Sequence, residues 1–106
     1  MLLMRFWMLL LMLMPLFSAA QNESNNWYFG AFAGMDFNDS KEVILTNSWM
    51  TTMEGSATIS DSLGKLLFYT NGVTVYNKNH DIMPNGDDLF GNLSSTQSAV
   101  IVKMPD

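Results

Sequence analysis

The chain begins with a solid apolar block and then changes to short apolar runs separated by polar turns. Residues 6–14 are apolar without interruption, Arg5 precedes them, and small side chains follow up to Ala20. A positive residue, an apolar stretch and a small-residue cleavage site are the three parts of a secretory signal peptide. We therefore predict a signal-peptide helix over residues 1–20, cleaved between Ala20 and Gln21.

The alternative for this block is a helix that stays in the membrane. A spanning helix needs about 20 apolar residues, whereas the block here is shorter and runs into polar residues at 21–26. We therefore expect no stable membrane span after processing. Residues 21–26 are predicted to form a polar linker to the mature domain.

From Trp27 onward the pattern is that of short β-strands. The predicted strands cover residues 27–32, 42–46, 56–60, 65–70, 73–77 and 98–104. Residues 61–64 (DSLG) predict a turn with Asp early and Gly late. Asn71-Gly72 predicts a two-residue hairpin with positive φ at both residues. Residues 56–77 are thus expected to form an antiparallel three-stranded meander, and the fold class is all-β.

Size and the lack of cysteine limit how this domain is stabilised. A chain of 106 residues holds one small domain, which buries only about 60% of its unfolded surface. Because the chain has no cysteine, it has no disulfide, no thiolate metal ligand and no cysteine nucleophile. We therefore expect the mature domain to be weakly stable, to oligomerise or to depend on partners.

The charge balance narrows the choice of partner. Ten acidic residues stand against five basic ones, and loss of Arg5 with the leader takes the net charge from −5 to −6. There is no run of basic residues that could follow a phosphate backbone, and no basic amphipathic helix for a membrane surface. We therefore expect no nucleic-acid partner.

Seven motifs, spread over nearly all of the mature chain, carry a resemblance to a known family. They are NWYFG at 26–30, AGMDF at 33–37, EGSATISD at 54–61, GKLLFYTNG at 64–72, VYN at 75–77, MPNG at 83–86 and SSTQSAVIV at 94–102. In this order they resemble the start of the large gliding-motility-associated proteins of Bacteroidota, which the type IX secretion system exports.

The resemblance implies a plan for the whole protein. Such proteins have a signal peptide, a β-propeller-like region, extracellular β-sandwich modules and a C-terminal sorting domain (type B) that attaches them to the cell surface. This chain stops at Asp106 without those modules, so we expect a fragment. Residues 27–106 are then a partial β-propeller-like region of incomplete blades, in which 56–77 and 98–104 supply the four strands of about one blade.

The same resemblance implies an exported, non-enzymatic protein, either secreted or on the outer cell surface. Its expected role is adhesion or a gliding-associated surface interaction. The expected partners are the secretion machinery and a surface polysaccharide or protein.

The alternative function is a secreted carbohydrate-binding or carbohydrate-active protein. It requires an exposed aromatic strip beside paired acids, whereas the first interpretation places the aromatic rings in the core. The aromatic residues in question are Trp27, Tyr28, Phe29, Phe68, Tyr69 and Tyr76. We expect core packing.

Two single residues are candidates for chemistry. His80 is the only histidine and lies in a polar stretch beside Asp81, but no Gly-x-Ser-x-Gly nucleophile motif accompanies it. We therefore expect an exposed loop histidine and no enzyme activity. Glu54 precedes Gly55 at the entry to a strand, and we expect its carboxylate to accept backbone N–H bonds in a turn.

Calcium is the only cofactor that the loops suggest. The segment that starts at Asp36 begins like an EF-hand loop, but Lys41 stands where Gly is needed and Asn47 where Glu is needed. An irregular calcium site and ordinary Asx turns both remain open. The candidate ligands are Asp36, Asn38, Asp87 and Asp88.

Overall fold

A computed structural model describes residues 22–105, and in this part of the chain the fold is all-β, as predicted. The strands are β1 (Asn26–Phe29), β2 (Ala33–Asp36), β3 (Val43–Leu45), β4 (Ala57–Ser60), β5 (Leu66–Thr70) and β6 (Val75–Asn77). They form two antiparallel three-stranded sheets, an N-terminal sheet β1-β2-β3 and a C-terminal sheet β4-β5-β6. The predicted signal-peptide helix and its cleavage site between Ala20 and Gln21 lie outside the described residues, as does Asp106.

The C-terminal sheet is the meander predicted for residues 56–77. Its first turn is the expected one, because Gly64 adopts φ +79 and its N–H donates to the carbonyl of Asp61 at 2.9 Å. The Asp61 carboxylate accepts from the N–H of Leu63 at 2.9 Å. The side chain of Asp61 therefore fixes the turn in the way that Asp does at the first position of a β-turn.

The two-residue hairpin predicted at Asn71-Gly72 is wrong. Thr70 pairs with Val75, so four residues form the loop, and Gly72 has positive φ while Asn71 does not. The Asn71 side-chain oxygen accepts from the N–H groups of Val73 and Thr74 at 3.0 and 2.9 Å. These side-chain bonds replace the backbone bonds of a tight hairpin and stabilise the wider loop.

The strand predicted for residues 27–32 ends earlier, at Phe29, and the chain turns back. Gly30 and Phe32 both have positive φ in this loop. The Phe32 N–H donates to the Met50 carbonyl at 2.9 Å, and the Thr52 N–H donates to the Gly30 carbonyl at 3.0 Å. The loop is thus bonded to a distant segment, a contact that hydrophobic periodicity does not encode.

The last predicted strand, 98–104, is absent from the described fold, where this segment forms no ladder. The edge of β6, the strand that precedes this segment in the chain, is not open to it. That edge is occupied, because the Val75 N–H donates to the Gly86 carbonyl and the Val75 carbonyl accepts from the Met83 N–H. The Asn77 N–H donates to the Asp81 carbonyl, and the Asn77 carbonyl accepts from the His80 N–H. A run of β-branched residues without an available edge has no ladder to join.

The free edges of β1 and β4 face each other, and we call the boundary between them the seam. It is joined by side chains: the Tyr28 N–H donates to the Thr58 hydroxyl at 3.0 Å, and the Ser56 hydroxyl donates to the Tyr28 carbonyl at 2.9 Å. Asn26 donates to the hydroxyl of Ser60 at 2.9 Å. Asn26 is thus bonded to Ser60, and Tyr28 to Thr58 and Ser56, so residue numbers rise along β1 while those of the bonded residues fall along β4. The two strands therefore run antiparallel across the seam.

Residues 22–26, the described part of the predicted polar linker, belong to the fold. The carbonyl of Glu23 accepts from the Ser60 N–H at 2.8 Å, and the Asn22 side chain donates to the Ser62 carbonyl at 3.0 Å. Strand β1 then begins at Asn26, one residue earlier than expected, and Asn26 is buried.

The core lies on one face of both sheets. Its buried apolar members are Tyr28, Met50 and Tyr69, and Leu66 packs against them. Leu66 and Tyr69 are three residues apart, so simple alternation would put them on opposite faces. The register shift opposite Ile59 and Ser60 leaves one extra residue in β5, and such a bulge brings both side chains to the core face.

The described residues, 22–105, contain no helix long and apolar enough to cross a membrane.

Replacing Asn26 by alanine tests the seam. Asn26 donates to the Ser60 hydroxyl at 2.9 Å and to the Gly64 carbonyl at 2.7 Å, both in buried surroundings. Loss of these bonds, with their acceptors left buried, is expected to lower the free energy of unfolding by about 2–3 kcal/mol in urea titrations. Asn79→Ala is the matched control, because Asn79 is exposed and its side chain makes no bond. Equal losses in the two variants would contradict the role assigned to the seam.

Candidate functional site

Two adjoining cavities follow the seam, and we call them together the seam groove. The larger has a volume of about 500 Å³ and the smaller about 420 Å³. Both are lined by Glu23, Ile59 and Ile101. The larger one continues to Trp27 and Phe29 of β1. The groove exists because side-chain bonds, which are longer than a backbone ladder, leave space between β1 and β4.

Trp27 and Phe29 form the aromatic wall of the groove. Alternation along β1 buries Asn26 and Tyr28 and turns these two rings to the opposite face. Trp27 is 54% exposed and Phe29 39% exposed. The indole N–H of Trp27 donates to the Ser24 carbonyl at 2.8 Å, and Phe37 packs edge-on at 5.2 Å between ring centroids. The indole ring is therefore held in place while about half of the side chain remains exposed.

Glu23 lies where the two cavities meet. Its Oε2 atom is buried and has no hydrogen-bond partner among residues 22–105. A buried acceptor without a partner costs free energy that a bonded one does not. A ligand that carries a hydroxyl or amine donor would supply the missing bond at this point of the groove.

The smaller cavity contains a second acid, Asp61, and a base, Lys103. One carboxylate oxygen of Asp61 is already engaged, since it accepts from the N–H groups of Leu63 and Lys65 at 2.9 and 3.0 Å. Asp61 thus holds its own turn in shape. Within the groove, Glu23 is the acid whose buried oxygen has no partner among the described residues.

The aromatic residues divide between core and surface. Tyr28 and Tyr69 are buried, and Phe68 and Tyr76 are half-buried. The expected core packing is confirmed for Tyr28, Tyr69 and Tyr76 and is wrong for Trp27 and Phe29. Phe68 lies opposite Ile59 and lines the smaller cavity. Strict alternation in β1 requires this division, because neighbours in a strand point to opposite faces.

His80 is not the exposed loop histidine that we expected. Its ring is half-buried, its Nδ1 lies 2.9 Å from the Tyr69 hydroxyl, and its centroid is 5.7 Å from that of Tyr28. The residue adopts φ +68 in a turn whose Asn77 side chain accepts from two backbone N–H groups. Burial lowers the pKa of His80, and the charge of Asp81 opposes this only in part.

The two buried tyrosines are held neutral. Burial raises the pKa of Tyr28, although its hydrogen bond to Asn47 at 3.0 Å acts in the other direction. Burial raises the pKa of Tyr69 as well. Both phenols therefore act as structural hydrogen-bonding groups in the core.

The candidate calcium ligands lie in two places, Asp36 and Asn38 at the end of β2 and Asp87 and Asp88 in a later loop. Asp36 accepts from the Asn38 N–H at 2.8 Å and from its side-chain amide at 2.7 Å, which is an Asx turn. Asp87 and Asp88 are exposed in that later loop. Among residues 22–105, no three His, Asp or Glu side chains are grouped so that they could hold a metal ion.

Glu54 differs from its expected role. Its side chain is exposed, and its carboxylate accepts from the Thr96 hydroxyl at 3.2 Å. The backbone bonds at this point belong to its neighbours, since Met53 and Gly55 donate to the carbonyls of Leu93 and Ser95. Glu54 thus adds one side-chain contact to a joint made by the backbone.

Sequence reasoning missed the residues that make the groove, above all Glu23, Ile59 and Ile101. Glu23 belonged to the predicted linker and the other two to predicted strands. The fold brings them together although Glu23 and Ile59 are about 36 positions apart in the chain, and Ile59 and Ile101 about 42. No local pattern marks such a meeting.

Comparisons of the chain with protein families, with characterised proteins and with solved structures find no match. The resemblance to gliding-motility-associated proteins therefore remains a prediction that rests on the sequence motifs alone.

The His80 environment predicts a pH dependence of stability. Because the folded-state pKa lies below 6.5, the unfolded chain binds a proton first as the pH falls. The contribution of His80 is thus complete above about pH 6.5 and is lost as the pH falls through the folded pKa. Urea midpoints of wild type and His80→Asn should be compared near pH 7.5 and about pH 5, since Asn tolerates positive φ.

The wild type is expected to lose more stability than His80→Asn between the two pH values. Parallel losses in both proteins would show that other groups cause the acid sensitivity.

Proposed function

We propose that this chain is part of a non-enzymatic exported protein, secreted or displayed on the outer cell surface, that attaches to a surface polysaccharide or protein through the seam groove. The observation that carries the proposal is the groove itself, where two exposed aromatic rings stand beside the unpaired Glu23 oxygen. Concave surfaces that combine apolar walls with a few placed polar groups are typical of binding sites.

The wider context of the proposal is a β-propeller-like region of incomplete blades. Each sheet is an antiparallel meander of three strands, and a propeller blade is a four-stranded meander that needs neighbours to cover its faces. Adhesion or a gliding-associated surface interaction, with export by the secretion machinery, is the role that the sequence resemblance adds.

The arrangement of acids supports a binding role over hydrolysis. Glycoside hydrolysis requires two carboxyl groups that flank the scissile bond. In the groove, Glu23 has a free oxygen, but Asp61 bonds to the backbone of its own turn. His80 bonds to Tyr69 in the core, away from the groove lining.

The second candidate function is carbohydrate binding, and the exposure of Trp27 and Phe29 favours it. These rings follow one another on the same face of β1, at the spacing of successive residues on one side of a strand, about 7 Å. Sugar rings stack on aromatic faces, and their hydroxyl groups are donors for the Glu23 oxygen. A surface polysaccharide satisfies both features of the groove.

Trp27→Ala tests this assignment. Removal of the indole face is expected to weaken binding to the envelope polysaccharide of the source cells by about tenfold or more, measured by affinity electrophoresis. Trp49→Ala is the matched control, because Trp49 is 70% exposed and does not line the groove. Equal weakening by both substitutions, or by neither, would contradict the groove as the binding site.

Export is tested on the product of the full sequence in its source cells. The N-terminal residue of this product is expected to be Gln21. The product is also expected either to be found in the medium or to be digested when protease is added to whole cells. A product that retains residues 1–20 and resists added protease would overturn the proposed location, whatever the binding assay shows.

A further inference from the structure

We propose that the outer edge of β3 pairs with the same edge of a second copy of this chain, in antiparallel register about a two-fold axis at Ile44. This inference rests on the strand edges and not on the seam groove, so it can fail independently of the proposed function. It assigns a use to the one sheet edge that the described fold leaves open.

Four sheet edges are present in residues 22–105, and three are occupied. The edges of β1 and β4 face each other across the seam. The edge of β6 bonds to the following segment, with Val75 and Asn77 as its partners. The edge of β3 has no such cover, and Ile44 is 75% exposed. An exposed apolar edge strand offers its backbone to another strand.

The hydrogen bonds of the neighbouring strands decide which residues of β3 offer their backbone outward. The backbone of Tyr28 bonds across the seam, so in an alternating ladder Trp27 and Phe29 bond to β2. Applied through the observed register, the same alternation turns the backbone groups of Val43 and Leu45 toward β2. The N–H and carbonyl of Ile44 therefore point away from the sheet, as do those of Glu42 and Thr46.

This alternation restricts how two copies can pair. Opposite residues must both face outward, so Ile44 can face Ile44, Glu42 or Thr46 of the other copy. A two-fold axis at Ile44 places Glu42 opposite Thr46 and uses all three outward residues. An axis at Glu42 would place two carboxylates opposite each other, which is unfavourable. The register with its axis at Ile44 is therefore the one that pairs all three outward residues of the edge with one another.

The side chains support the same register. Trp27, Met35 and Ile44 are cross-strand neighbours and form a row on the face opposite the core. Pairing at Ile44 continues this row into the second copy, with Ile44 against Ile44. The contact buries two of the more exposed apolar side chains of the N-terminal sheet.

Single cysteines test both the pairing and its register, because the chain has no cysteine of its own. In an antiparallel pair that exchanges both backbone bonds, the Cα atoms are about 5.5 Å apart, within reach of a disulfide. Ile44→Cys is therefore expected to form a covalent dimer under mild oxidation. Glu42→Cys alone should not, because its two copies would lie roughly 14 Å apart.

A mixture of Glu42→Cys and Thr46→Cys is expected to form a mixed disulfide, although neither variant dimerises alone. Asp88→Cys, at an exposed position in another loop, measures random cross-linking. Ile44→Cys that links no faster than Asp88→Cys would overturn the pairing. Self-linking of Glu42→Cys would overturn the register.

The uncross-linked protein gives the second measurement. Sedimentation should show a concentration-dependent dimer for the wild type. Ile44→Pro removes an outward N–H while keeping the bonds to β2, which edge strands tolerate, and circular dichroism confirms that it folds. Its dimer dissociation constant is expected to rise about tenfold or more.

Wild type that remains monomeric over the concentrations tested would overturn the proposal. Wild-type dimers that persist unchanged in folded Ile44→Pro would place the interface on another surface.

Discussion

The fold depends on one cross-strand row that passes through the seam. In register from β6 to β3, its members are Tyr76, Tyr69, Thr58, Tyr28, Gly34 and Leu45. Tyr69 stacks on Tyr76 at 5.2 Å and on Tyr28 at 4.5 Å between ring centroids. Gly34 makes room for this stack, because a Cβ there would stand 2.8 Å from the Tyr28 ring. The two sheets share no backbone ladder, so stacked rings and hydroxyl bonds hold them together.

The same constraint produces the groove. A tyrosine on the core face at Tyr28 requires its neighbours Trp27 and Phe29 to lie on the other face. Hydroxyl bridges in place of a ladder keep β1 and β4 apart, and the gap is filled only in part by Ile101. The exposed rings and the open seam therefore have one origin. The buried Glu23 oxygen lies at the end of that gap, where the chain enters β1.

Local sequence patterns correctly predicted features that depend on contacts between residues close together in the chain. The meander and the turn at Asp61 follow from alternation and from an Asx bond within four residues. The bulge in β5 and the position of His80 were missed because each depends on a contact outside its own segment. The loop at Asn71 was missed because the Asn71 side chain, and not the backbone, bonds the N–H groups of Val73 and Thr74. His80, for example, is drawn from a polar turn toward the core by the hydroxyl of Tyr69, 2.9 Å away. The seam could not be predicted, because side chains far apart in sequence form it.

The propeller-like interpretation and the open β3 edge concern the same feature of the N-terminal sheet. A blade has four strands, and the C-terminal sheet already has a fourth element, because Ile82 bridges to Tyr76. The N-terminal sheet has no counterpart beside β3 in the described chain. A strand that completed this sheet would have to match the outward backbone groups at Ile44 and cover its exposed apolar side chain. A second copy satisfies both conditions with residues that the chain itself provides, so self-pairing is the arrangement that requires no further partner.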